Sequence, residues 1–194
     1  MYQIGVLALQ GDFAKHIQAI IRLKHLALAV RTKQDLDKCD ALVIPGGEST
    51  TVLKLLHDSG LFGNIQAFAE NHPAMGTCAG LIISAKEVTD LSYSPLNLID
   101  ISVNRNAYGR QRDSFLDEVQ VSLNGVERSL EGVFIRAPQI IRYGPDVQIL
   151  GNHKGMPVIA ANKHILVSTF HPELTNDLSI HQYFINYFIG QKRT

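Results

Sequence analysis

At 194 residues, 45% of them hydrophobic, the chain carries enough apolar material for one sizeable core and reads as a single domain spanning 1–194. Lys plus Arg number 18, as do Asp plus Glu, so there is no net field to concentrate a polyanion and nucleic acid is not an expected partner. No stretch approaches the ~20 apolar residues of a membrane span, and two cysteines without CxxC spacing point to a reducing, cytoplasmic setting rather than a disulfide scaffold.

The first predicted strand covers residues 4–9 and leads through Gly11 and Asp12, a turn and helix cap, into Phe13, Ile17, Ile20 and Ile21 at helical spacing. Strands follow at 28–31 and 41–44. Pro45-Gly46-Gly47 ends the latter, and Ser49 or Thr50 is expected to cap a helix that buries Val52, Leu53 and Leu56. A helix over 62–68, a short strand over 73–77 and a helix over 79–86 continue the alternation, which is the pattern of an α/β fold with a helix-covered parallel sheet. From 98 to about 151, alternating runs such as Val119-Gln120-Val121-Ser122-Leu123 predict antiparallel additions to that sheet. Residues 165–170 read as a late strand, and Ile180, Phe184, Tyr187 and Phe188 mark an amphipathic final helix.

Cys78 falls at the predicted strand-to-helix turn, inside Gly76-Thr77-Cys78-Ala79-Gly80. This is the G-x-nucleophile-x-G form of a nucleophile elbow: small neighbours give clearance to a side chain lifted out on a strained turn, and the following helix start favours a thiolate. An ordinary lone cysteine in a Gly/Ala-rich turn is more often a packing residue, and the position of the motif is what favours a working thiol at Cys78; Cys39 precedes the strand at 41–44 with no base near it in sequence. A thiolate nucleophile needs a base, and the base needs an acceptor to hold its tautomer. His171-Pro172-Glu173 supplies both, because Pro172 biases His171 toward extended geometry and residues i and i+2 of an extended segment share a face. The other seven histidines, 16, 25, 57, 72, 153, 164 and 181, lack an acid two places on and read as surface or structural residues.

Acyl transfer also needs donors for a developing oxyanion, and the glycine amides of Pro45-Gly46-Gly47-Glu48-Ser49-Thr50-Thr51, with Ala79 after the nucleophile, are candidates. The same loop read alone is equally an ordinary turn with a helix cap. It lacks the Gly-Lys-Ser/Thr ending of a phosphate loop. No HExxH or zinc-deaminase spacing is present, so no metal is expected, and no Gly-rich dinucleotide fingerprint is present, so no cofactor is expected. The basic cluster Arg105, Arg110, Arg112 reads by itself as a solvated loop.

In order and separation, PGGEST, GTCAG and FHPE resemble the class I, or triad, glutamine amidotransferases. The resemblance narrows with LALQGD at 7–12, NRNAYGRQR at 104–112, FIRAP at 134–138 and TFHPEL at 169–174, which are similar to the glutaminase subunits of pyridoxal phosphate synthase, and it covers essentially the whole chain. It implies a flavodoxin-like three-layer α/β fold with a mostly parallel central sheet, and hydrolysis of L-glutamine to glutamate and ammonia. Cys78 would be nucleophile, His171 base and Glu173 orienting acid, with ammonia delivered to a synthase subunit in a hetero-oligomeric complex. It further implies glutamine binding by Gly47, Glu48, Ser49, Arg105, Ile135 and Arg136, where the arginines suit an α-carboxylate and Glu48 an α-ammonium. Gln10, in the first loop, is a candidate partner contact. Two other classes fit parts of the pattern. A cysteine peptidase would share the elbow but would not need Arg105 and Arg136 to hold a free amino acid, and a non-enzymatic scaffold subunit would not need Cys78, His171 and Glu173 together.

Overall fold

A computed structural model of the protein describes residues 1–105 and 114–190. The first half alternates as β1 (Gln3–Leu7), α1 (Phe13–Arg22), β2 (Leu26–Val30), α2 (Lys33–Leu36), β3 (Ala41–Ile44), α3 (Ser49–Asp58), α4 (Leu61–Asn71), β4 (Ala74–Thr77) and α5 (Ala79–Ser84). The second half is mostly strands: β5 (Ala85–Val88), β6 (Ile99–Asn104), β7 (Ser114–Leu123), β8 (Val126–Ile135), β9 (Gln139–Tyr143), β10 (Gln148–His153), β11 (Met156–Ala161) and β12 (Ile165–Ser168). A 3-10 turn at Pro172–Leu174 precedes α6 (Ser179–Tyr183), which runs on as a π-helical stretch, Phe184–Ile189.

The main sheet has the order β2-β1-β3-β4-β12-β11-β10-β7-β8. Its first five strands are parallel and the remaining four join antiparallel. Every residue of β3, β4 and β12 is buried, as expected of strands covered on both faces. Alternation along β3 divides the core in two. Leu42 and Ile44 pack with Leu53, Leu56 and Ile65 on one side of the sheet, while Ala41 and Val43 pack with Met75, Phe184 and Phe188 on the other. This is the three-layer, flavodoxin-like arrangement that the family resemblance implies, with its topological switch between β1 and β3. The carboxyl ends of β1, β3, β4 and β12 therefore open on one rim, where open parallel sheets receive ligands.

Several local expectations change. A helix over 79–86 stops at Ser84, because Ala85–Val88 pairs with β6 as the edge of a second, three-stranded sheet, β5-β6-β9. Tertiary pairing there overrides the helix propensity of Ala85 and Lys86. Ser49 and Thr50 do not cap α3. Its N-cap is Glu48, in extended conformation and with no side-chain capping bond, and Asp12 at the head of α1 likewise makes none. β2 begins at Leu26 rather than at residue 28. Arg110, Arg112 and the rest of the 106–112 stretch lie outside the described residues. Among the described residues no helix is long and apolar enough to cross a membrane.

Candidate active site

Cys78 stands between β4 and α5 with φ 49 and ψ −104, a backbone conformation that costs a non-glycine residue about 1–3 kcal/mol. The surroundings hold it there. The Cys78 N–H donates to Ser168 O at 2.9 Å, and Cys78 O accepts from the Ile82 N–H at 3.2 Å. A Cβ at Gly76 would sit 2.6 Å from Gly80 O, and one at Gly80 would overlap Ile44 O, so the elbow closes only with glycine at both positions. The thiol is largely covered, with Sγ 3.7 Å from Ile135 O.

His171 follows Phe170 at the carboxyl end of β12, and its N–H donates to Val133 O at 2.9 Å. Its Nδ1 lies 2.7 Å from Glu173 Oε1, with both side chains buried. The contact arises differently from the extended i, i+2 geometry expected from sequence, because Pro172 starts a 3-10 turn that brings Glu173 back under the imidazole. Burial opposes the charge on His171, but the Cys78 and Glu173 side chains beside it push it up to about 10. Burial also opposes ionisation of Glu173; His16 and His171 outweigh it and hold the carboxyl well below the usual carboxylate range. A Cβ on Gly46 would strike the His171 ring, so glycine lets the loop after β3 lie against the imidazole.

Cys78 and His171 open into a cavity of about 530 Å³ at the rim of the parallel sheet. Gln10, Gly46, Gly47, Glu48, Ser49, Arg105, Ile135 and Arg136 line it with them. Residues from β1, β3, β4, β6, β8 and β12 or their following loops thus meet at one place. Arg136, at φ 44, lies 3.7 Å from Glu48 through Nη1 and Oε1, and Arg105 Nη1 donates to Thr50 Oγ1 at 2.9 Å. Gln10 Oε1 accepts from the Glu48 N–H at 2.9 Å, and a Cβ on the adjacent Gly11 would overlap Gly46 O. Glu173 stays behind His171, outside the cavity lining, and Ala79 opens α5 with its N–H in the first helical turn.

Two buried histidines that sequence reasoning treated as background stand directly behind the acid. His16 of α1 is fully buried, with Nε2 3.1 Å from Thr77 Oγ1 and 3.4 Å from Glu173 Oε2. Its Nδ1 lies 2.9 Å from Nε2 of His181 on α6. Burial, then the neighbouring His16, pushes His181 down to about 3, so it is neutral. The available signal was helical spacing, since His16 and Ile20 share the buried stripe of α1. Among the described residues no group of three or more His, Cys, Asp or Glu side chains is arranged to hold a metal ion.

Known proteins share both the fold and the sequence. The model of the SNO glutamine amidotransferase family matches residues 6–190. The pyridoxal 5'-phosphate synthase subunit PdxT of Fervidobacterium nodosum is 46% identical over 183 residues, covering 94% of this chain and 95% of that protein. The PdxT subunit of Thermosipho africanus is 44% identical over 185 residues, with 95% and 97% covered. A crystal structure of a glutamine amidotransferase matches with a TM-score of 0.89 at 41% identity, covering 96% of this chain and 98% of the other. The structure of PurLQS from Thermotoga maritima matches at 0.71 with 13% identity over 96% and 99%, a likeness of fold alone.

Proposed function

The chain belongs to the SNO glutamine amidotransferase family, and from that premise we propose that Cys78, His171 and Glu173 hydrolyse L-glutamine in a single domain whose ammonia goes to a separate synthase subunit. The chain is the glutaminase subunit of pyridoxal 5'-phosphate synthase. The observation that carries the assignment of residues is the meeting of a strained cysteine elbow, a buried His–Glu pair and a glycine loop at one cavity.

In the first half-reaction the Cys78 thiolate attacks the side-chain amide carbon, and the carbonyl electrons move onto oxygen. The N–H groups of the Gly46-Gly47 loop and of Ala79 are the candidate donors to that oxyanion. Collapse of the intermediate breaks the C–N bond while the His171 imidazolium gives its Nε2 proton to the leaving nitrogen, releasing ammonia and leaving a thioester. His171, now neutral, takes a proton from water as the water attacks the thioester, and collapse returns glutamate and the thiolate. Glu173 keeps the His171 Nδ1 proton in place and stabilises the imidazolium. Glu48 and the guanidinium groups of Arg105 and Arg136 share the cavity with the nucleophile and suit the two charges of a free amino acid.

Docking of the synthase subunit completes the oxyanion site. Gly47 has φ +152, and the Gly46-Gly47 peptide can turn without side-chain strain. Its neighbour Glu48 is tied to Gln10, the candidate partner contact, so a displacement of the first loop reaches the oxyanion loop directly. A missing oxyanion donor costs roughly 10²- to 10³-fold in turnover. Steady-state glutamine hydrolysis, measured with and without the synthase subunit, tests both parts. Activity that depends on Cys78 and rises by about that factor with partner is expected. Full activity of the isolated chain, unaltered by saturating partner, would remove the switch, and retained activity in Cys78→Ala would remove the nucleophile.

A further inference from the structure

We propose that His16 is a positioning residue for this reaction, holding the Glu173 carboxylate and the strand that carries Cys78 in register through a donor chain that starts at His181. The proposal rests on the assignment of Cys78, His171 and Glu173 given above.

Glu173 Oε1 is occupied by His171, and among the described residues Oε2 makes no hydrogen bond of ordinary geometry. His16 Nε2 lies 3.4 Å from it and 3.1 Å from Thr77 Oγ1. Thr77 immediately precedes the nucleophile, so one imidazole edge touches both the acid and the end of β4. The opposite edge meets His181 Nε2 at 2.9 Å, and among the described residues the buried His181 Nδ1 has no partner.

These contacts select one proton arrangement. If His16 Nδ1 carried the hydrogen and donated to His181, then His181 Nδ1 would hold a buried hydrogen with no acceptor. With His16 neutral, its bare Nε2 would also face the Glu173 carboxylate. With the hydrogen on Nε2 of both rings, His181 donates to His16 Nδ1, His16 donates toward Thr77 and Glu173, and only an acceptor lone pair on His181 goes unused. An unused buried acceptor is the more commonly tolerated of the two defects. One imidazole nitrogen then meets each oxygen of the carboxylate, His171 Nδ1 at Oε1 and His16 Nε2 at 3.4 Å from Oε2.

The groups facing this chain are few. His16 meets Thr77 from β4, Glu173 from the 3-10 turn and His181 from α6. Lys15 and Arg22 of α1 line the neighbouring surface cleft. Burial of Glu173 opposes its negative charge, so withdrawing the His16 donor weakens the carboxylate's support of the His171 imidazolium. The thiolate–imidazolium pair would then exist over a narrower pH range.

The test compares wild type, His16→Leu and His16→Gln as full chains with the synthase subunit present. His16→Leu removes both hydrogen-bonding edges; His16→Gln restores an amide N–H near the position of Nε2. In His16→Leu, kcat for glutamine should fall roughly 10- to 100-fold, less than the ~10⁴-fold loss seen when a triad's own acid is neutralised. KM should stay near wild type. The acid limb of Cys78 alkylation by iodoacetamide should move up, and the alkaline limb of kcat down, by about one pH unit. His16→Gln should recover most of both. A purely structural role would lower the amount of active protein and leave the limbs in place, and that result overturns the proposal. Nitrogen-15 chemical shifts of the histidine rings need no variant: both His16 and His181 should carry hydrogen on Nε2, and an Nδ1–H form of His16 overturns the donor chain even if His16→Leu does not fold. Wild type without glutaminase activity in the complex would overturn the triad assignment as well, whereas an active wild type with unmoved limbs in His16→Leu removes His16 alone.

Discussion

Glu173 Oε1 sits 2.7 Å from His171 Nδ1 because a 3-10 turn, not a strand, joins the two residues. Proline at the first position of that turn removes an N–H that would have no partner and pre-sets φ, while His171 itself stays at φ −104 and ψ 86. The acid is delivered to the base within three residues of chain.

The order of losses follows from this arrangement. His171→Asn should reduce glutamine hydrolysis more than Glu173→Gln, because the base moves protons whereas the acid orients it and stabilises its charged form. Steady-state rates of the two folded variants, measured with synthase present, check the order. Equal losses would mean that base and acid act as an inseparable unit.

Cys78 and Cys39 should separate cleanly. Cys39 is buried, its Sγ donates to Asp35 O at 3.2 Å, and burial followed by Asp35 and Asp40 pushes its thiol up to about 11. Cys39→Ala should therefore keep near-wild-type glutaminase activity, and Cys78→Ala should lose it without unfolding. Peptide mapping after alkylation near neutral pH should find the label on Cys78, and predominant labelling of Cys39 would reverse the choice of nucleophile.

Arg105→Ala and Arg136→Ala should each weaken glutamine binding by roughly 1.5–3 kcal/mol if each supplies a charge-assisted hydrogen bond, about a 10- to 100-fold rise in KM. Stability should barely change for Arg136→Ala, because its ion pair with Glu48 is solvent-exposed and such pairs contribute about 0–1 kcal/mol. Initial rates against glutamine concentration check this, with saturating glutamine expected to restore much of kcat. A low kcat at unchanged KM would move these arginines from substrate binding to loop positioning.

Stability should carry the signature of the charged base. The folded His171 is pushed up to about 10 from an ordinary 6.5, so its contribution is fully present below about 6.5 and is lost as pH rises through about 10. The Tm difference between wild type and His171→Asn should therefore be largest on the acid side of that window and shrink across it. A difference that grew with pH would contradict a protonated His171 in the folded protein.

The sequence by itself determined what is local. Small residues around Cys78, an acid two places after His171, and strand- and helix-length segments in alternation are all short-range features, so the elbow, the nearness of His171 to Glu173 and the α/β class were legible from residues alone, whereas the 3-10 turn that joins the pair was not. Arg105, Ile135 and Arg136 were reached through family resemblance, because nothing in their own neighbourhood marks a cavity wall. Tertiary structure decided the rest. Only the docking of α1 and α6 on the same face of the sheet brings His16 and His181, 165 residues apart, into hydrogen-bonding distance beside Glu173. Only pairing with β6 turns Ala85 and Lys86 from the tail of an expected helix into the start of a strand. Such contacts depend on which surfaces meet after collapse, and a pairing between distant segments leaves no period in either of them for a sequence to display.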